Sequence, residues 1–142
     1  MAKRTLKTSL ASLLAGLLAT GCAGTPHSDY VISALSEVSA GAELIGNIIV
    51  DEIPQGGSIE YVLSINEGGA YAIYGTCDVD CSDIDLHVHD TDGELMFEDT
   101  ASDDVPQLDF YADRGGAFRV TIDMVSCQTE TCIFGMGLYL LE

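Results

Sequence analysis

The 142 residues, 47% of them hydrophobic, suffice for one domain with a packed core plus an appendage. Twenty-three acids stand against five bases, a formal charge of −18. That balance excludes nucleic-acid binders, whose phosphate contacts need Lys and Arg, and fits cation binding or plain solubility at a crowded surface.

The chain opens with Lys3, Arg4 and Lys7, followed by an apolar run from Leu10 to Leu18 and then by Ala19-Thr20-Gly21-Cys22. A positive start, a short apolar stretch and small residues at a cleavage point define a secretory signal over residues 1–21. The stretch is shorter than the about 20 apolar residues of a spanning helix. Ala19-Thr20-Gly21-Cys22 resembles a bacterial lipobox. The resemblance implies that the cysteine receives a diacylglycerol and becomes the new N-terminus; lipoboxes prefer Leu where this chain has Ala19. Cysteine parity agrees, because five Cys leave one odd thiol in a secreted protein and lipidating Cys22 removes it. Several acyl chains, palmitate among them, hold a protein firmly where one chain alone binds marginally. Ala23, in place of Asp, points to the outer membrane of a Gram-negative source. The expected location is the cell envelope, with the membrane a partner through the anchor. Removing residues 1–21 takes away three bases and no acid, which leaves 23 acids against Arg114 and Arg119, a formal charge of −21.

Residues 22–46 read as a lipidated tether and a short helix. Residues 23–29 are small, polar or Pro, the composition of a flexible connector. Val31, Leu35, Val38, Ala42 and Ile45 then recur at spacings of four and three, one apolar stripe on a helix that Ser28 or Asp29 would cap and Gly41 would weaken.

From residue 47 to 142 the period changes to two. Ile48-Ile49-Val50 is a short apolar run stopped by Pro54 and Gly56-Gly57. Ile59, Tyr61, Leu63 and Ile65 alternate, then Tyr71 and Ile73, then Ile84, Leu86 and Val88 against Asp83, Asp85, His87 and His89. Asp92-Gly93 signals a hairpin turn before Leu95 and Phe97. An acidic loop from Asp99 to Asp104 leads to Leu108 and Phe110. After Gly115-Gly116, Phe118, Val120, Ile122 and Met124 alternate, and finally Phe134, Met136, Leu138 and Leu140. About eight short strands with frequent turns predict an all-β fold, an antiparallel β-sandwich or jelly roll. The absence of strand–helix–strand alternation argues against a parallel sheet.

Four cysteines remain after Cys22, and an oxidising compartment makes disulfides their expected state. Three pairings exist. Cys77–Cys81 and Cys127–Cys132 are favoured because each pair brackets a loop; a zinc site is disfavoured by spacing and compartment.

The acidic loops offer the sharpest ligand chemistry. Asp78, Asp80, Asp83 and Asp85 crowd one stretch, and Asp90, Asp92 and Glu94 surround the next turn. Calcium takes six to eight oxygens, so the six aspartates Asp78, Asp80, Asp83, Asp85, Asp90 and Asp92 are the candidate calcium ligands, although the EF-hand spacing fails after Asp92-Gly93. The bland reading is that they are solvated turn residues. His87 and His89 share a strand face with Asp83 and Asp85 and would hold a transition metal if another strand supplied a third ligand. Catalytic machinery is hard to assemble. The chain beyond residue 21 has no Lys, His27 falls in the tether, and nucleophile elbows, phosphate loops and zinc-protease helices are absent.

Residues 55–142 resemble bacterial pre-peptidase C-terminal domains, jelly-roll modules found beside secreted proteases and in surface proteins. The resemblance rests on Gly69-Ala-Tyr-Ala-Ile-Tyr, on Asp83-Ile-Asp-Leu-His-Val followed by Asp90-Thr-Asp-Gly, and on Gly116-Ala-Phe-Arg-Val-Thr-Ile. It departs in the cysteine pairs, which are not general to those domains, and no protease domain precedes the module in this sequence. The resemblance implies a fold and an accessory surface role, and no activity. The expected function is a non-enzymatic, membrane-anchored lipoprotein whose sandwich engages a protein or glycan or serves envelope structure. The alternatives are a calcium-dependent binding module and a metal-dependent hydrolase on the His87/His89 face.

Overall fold

Ile84, Leu86 and Val88 are buried, while Asp83, Asp85, His87 and His89 between and beside them keep contact with solvent. A strand puts successive side chains on opposite faces, so this stretch has to lie with one face on a core and one in water. The same rule generates most of the molecule. The computed structural model describes residues 26–141, comprising one helix, α1 (Pro26–Val38), and eight strands. These are β1 (Glu43–Pro54), β2 (Ser58–Ile65), β3 (Ala70–Cys77), β4 (Cys81–His89), β5 (Leu95–Asp99), β6 (Gln107–Tyr111), β7 (Gly116–Cys127) and β8 (Thr131–Leu140). The lipidation residue Cys22 and the signal segment lie outside the described residues.

Two four-stranded antiparallel sheets face each other, one ordered β1-β8-β3-β6 and the other β2-β7-β4-β5. This is the jelly-roll order: outer strands of each sheet are joined across the sandwich, and the two inner strands of each sheet are paired on both sides. Between the sheets lie Ile53, Ile73, Phe134, Met136 and Leu138 from the first and Ile84, Leu86, Val120, Ile122 and Met124 from the second. Truncating any of the larger ones to Ala would cost about 2–5 kcal/mol.

The first sheet is covered on its outer face as well. Val31 and Leu35 of α1 are fully buried there against Ala72, Tyr74 and Tyr139. Gly135 makes this close approach feasible, because a Cβ on it would stand 2.2 Å from Val31 Cγ1 and 2.9 Å from Leu35 Cδ1.

Three expectations change at the N-terminal side. The helix begins at Pro26, inside the expected connector, where proline's fixed φ and missing N–H suit a first turn. It ends at Val38, and Gly41 with φ 92° turns the chain, so Val38 is exposed and Ile45 belongs to a strand. The sandwich therefore starts at Glu43, earlier than residue 47.

Candidate functional site

Strand direction sorts the connections into two ends. At one end, Cys77–Cys81 joins β3 to β4 and Cys127–Cys132 joins β7 to β8, with Cα–Cα distances of 5.8 and 5.9 Å. These are the two favoured pairings. Each bridge staples a connection that passes from one sheet to the other, and Cys81 and Cys127 are register partners, so the two loops lie side by side. Backbone bonds tie them together: Gln128 N–H donates to Asp80 O at 2.8 Å and Asp78 N–H to Ile133 O at 2.9 Å. The Asp78 carboxylate is buried and accepts from Ile133 N–H at 2.9 Å and Asp80 N–H at 3.2 Å. His27, in the first turn of α1, reaches the same carboxylate at 3.0 Å.

The other predicted acids stand elsewhere. Asp83 and Asp85 lie on the outer face of β4, and Asp90 and Asp92 lie in the β4–β5 turn. A nine-residue strand separates the first and last pairs, a distance of about 26 Å at 3.3 Å per residue. The six candidate calcium ligands therefore occupy three places and do not converge on one ion. Asp90 instead fixes its turn. Its Oδ1 accepts the N–H groups of Asp92 and Glu94, both at 2.9 Å, and Arg114 stands 3.6 Å from its Oδ2. The Glu94 N–H above all, with help from the Asp92 N–H and the Arg114 charge, holds the Asp90 carboxyl below the usual range against the opposing effect of burial.

His87 and His89 do share the solvent face of β4. The His87 ring, however, is bracketed: Nδ1 lies 3.3 Å from Glu98 and Nε2 lies 3.1 Å from Asp123. Each ring nitrogen thus faces a different carboxylate, on opposite sides of the ring, so the two acids do not converge on one point. His89 stands across from Arg119, an unsuitable neighbour for a cation site.

The far end carries a cavity of about 170 Å³. Phe97, Phe110 and Phe118 line it together with the exposed Met96, the buried Asp90 and the exposed Arg114. The Phe97 and Phe110 rings stack at 4.9 Å. Here the sandwich opens between β5, β6 and β7, so an apolar wall meets a charged rim, the usual composition of a recognition pocket. Alternation in the sequence found these aromatics as core residues and did not find the pocket. One signal was present: the two cations of the chain beyond residue 21, Arg114 and Arg119, both border the β4–β5 turn, with Arg119 packed close to Gly93.

No family model matches the sequence, and no curated protein matches it. Solved structures are similar to the chain. The periplasmic lysozyme inhibitor PliG of Aeromonas hydrophila, an inhibitor of g-type lysozyme, superposes with a TM-score of 0.52 at 8% identity, over 70% of this chain and 88% of that one. A protein of Sulfurospirillum deleyianum gives 0.45 at 11% identity over 69% and 99% of the two chains. A glycosylation-associate protein complex of Streptococcus agalactiae gives 0.38 at 14% identity over 72% and 40%.

Proposed function

We propose that this chain is an exported, lipid-tethered, non-enzymatic binding module that engages a basic protein partner at the end of the sandwich remote from its tether. One observation carries the reading. The described chain starts at the disulfide-braced end, where His27 meets Asp78, while the aromatic cavity opens at the opposite end. His27 follows Cys22 by five residues, a chain that reaches at most about 18 Å. An anchor at Cys22 would hold the braced end against the membrane and present the cavity outward. Two short-loop disulfides suit the oxidising side of that membrane.

The formal charge of −21 beyond residue 21 selects partners of opposite sign and speeds their encounter. The fold-mate PliG is a periplasmic inhibitor of g-type lysozyme, which makes a lysozyme the partner class to try first. An accessory surface role is also what the resemblance to pre-peptidase C-terminal domains implies. Placement in the outer membrane follows from Ala23 if the source is Gram-negative.

The test has two arms. Binding to g-type lysozyme and a panel of basic proteins is measured by titration calorimetry for the natural chain and for Thr91→Trp, which fills the cavity mouth from an exposed turn position. The substitution should weaken binding by about tenfold or more; equal affinities would remove the cavity from the interface. Separately, Cys22→Ser should abolish palmitate labelling and release the protein from membranes. A mutant that stays in the membrane fraction would dismiss the tether.

A further inference from the structure

Two described carboxylates are buried, and they are balanced differently. Asp90 has the guanidinium of Arg114 beside it. Among the described residues Asp78 has no guanidinium or ammonium beside it; its one ionic neighbour there is the imidazole of His27, whose charge is not permanent. A second carboxylate, Asp80, comes within 3.9 Å of the same ring nitrogen. A buried carboxylate beside another acid calls for a lasting countercharge, because an unbalanced charge out of water is costly. His27 Nδ1 and one oxygen each from Asp78 and Asp80 all lie within 4.8 Å of one another.

We propose that His27, Asp78 and Asp80 form a binding site for a first-row divalent transition ion of the zinc class, with water completing the shell. Zinc–nitrogen and zinc–oxygen bonds of about 2.0–2.2 Å put neighbouring tetrahedral ligands about 3.3 Å apart. The 3.0 Å separation of His27 and Asp78 has to open by a few tenths of an ångström, and the 3.9 Å separation of His27 and Asp80 has to close by a little more. Asp80 and His27 are both partly exposed and have room for that adjustment. A mixed imidazole and carboxylate set favours this class over calcium or magnesium, which want oxygen shells.

The support around the ligands is already built. Asp78 is aimed by the N–H groups of Ile133 and Asp80, and the Cys77–Cys81 bridge closes its loop. Such outer contacts orient metal ligands and lower the cost of assembling them. The N-terminus of α1 opposes a cation with the equivalent of about half a charge, but two full carboxylate charges outweigh it. The bound ion would cross-link the first turn of the helix to the braced loop, and so fix the direction in which the preceding chain leaves the sandwich. This site stands apart from the far-end cavity and does not depend on the partner reading.

Titration calorimetry of the metal-stripped exported protein with zinc chloride tests it. Zinc should bind once per chain, and calcium chloride should give no heat. His27→Ala and Asp80→Asn alter partly exposed side chains, so both variants should keep the natural circular dichroism spectrum. Loss of even an outer-shell partner costs about tenfold in metal affinity, so each variant should weaken zinc binding by at least that factor. His89→Ala should leave it unchanged. Absence of zinc binding, a smaller loss in either ligand variant, or an equal loss in His89→Ala overturns the proposal.

Discussion

Asp85 on β4 stands directly opposite Asp123 on β7, two acids paired across an antiparallel ladder. Asp123 is held in place, since Ser58 donates to it and His87 Nε2 lies 3.1 Å away. Asp85 bears the consequence. Burial first, then the charge of Asp83, raise its carboxyl above the ordinary range; His87 works the other way, and Asp123 and Asp99 add to the rise. An acid with a raised folded value binds its proton more tightly when folded. The associated stability is complete below the unfolded value near about pH 4 and is lost as pH rises through the folded one. Asp85→Asn should therefore raise stability at pH 7 by on the order of 0.5 kcal/mol, the scale of a like-charge cross-strand pair. The gain should shrink toward zero in melts near about pH 3.5. A variant that melts no higher than the natural chain at pH 7 would show that Asp85 is not repelled.

Tyr61 reports on β2, an edge strand of the same sheet. Its hydroxyl donates to Asp51 Oδ2 at 2.9 Å and so links β2 of one sheet to β1 of the other. Burial, then the hydrogen bond to Asp51 and its charge, push the phenol up to about 12. The sign follows as for Asp85: the contribution is present below about pH 10 and is lost as pH rises through about 12. The difference in phenolate absorbance between the natural chain and Tyr61→Phe should titrate near the higher value, and Asp51→Asn should bring it back toward the lower. An ordinary Tyr61 titration in the natural chain would contradict the link.

The parts of this fold that the sequence disclosed are those in which one face meets the core and the other meets water. Ile84, Leu86 and Val88, like Phe118, Val120, Ile122 and Met124, could be read because period-two burial leaves a period-two pattern. In β3 and β8 the inner residues could be read, but Ala72, Tyr74 and Tyr139 on the outer face could not, since their burial depends on where α1 docks. The apolar spacing from Val31 to Ile45 ran past the true helix end because spacing alone does not say where a helix stops; Gly41, named in the sequence as the weak point, is where the chain turns. His27 looked idle in a connector, and its partner Asp78 lies 51 residues away, beyond the range of any local pattern. The far-end cavity is a junction of three strands, and the pair Arg114 and Arg119 near it is the one trace that it leaves in the sequence.

The disulfides make a quantitative claim. They close loops with sequence separations of four and five, short enough that chain entropy alone assigns each about 2 kcal/mol. Cys77→Ala with Cys81→Ala should lower the unfolding free energy by that amount and also speed amide exchange at Asp80 and Ile133, whose N–H groups depend on the position of Asp78. Cys127→Ala with Cys132→Ala should cost a similar amount without that local effect. Exchange at Asp80 and Ile133 that is the same in both variants would mean that Asp78 is positioned by the sheet and not by its bridge.

Gly135 sets how closely the helix can sit on the sheet. It lies opposite Val50 on one side and Thr76 on the other, under Val31 and Leu35. Gly135→Ala places a methyl inside the space of Val31, and over-packing of this kind costs about 1–3 kcal/mol. Val31→Ala alone removes a fully buried side chain and costs about 1.5–3 kcal/mol. Combined, the two changes partly cancel, because the smaller residue 31 vacates the space that the new methyl needs. The double variant should be more stable than the sum of the singles predicts by about 1 kcal/mol or more, measured from urea midpoints at constant slope. Additivity within about 0.5 kcal/mol would mean that α1 shifts away as a body and does not repack locally, and that the contact between residues 31 and 135 does not set the docking distance.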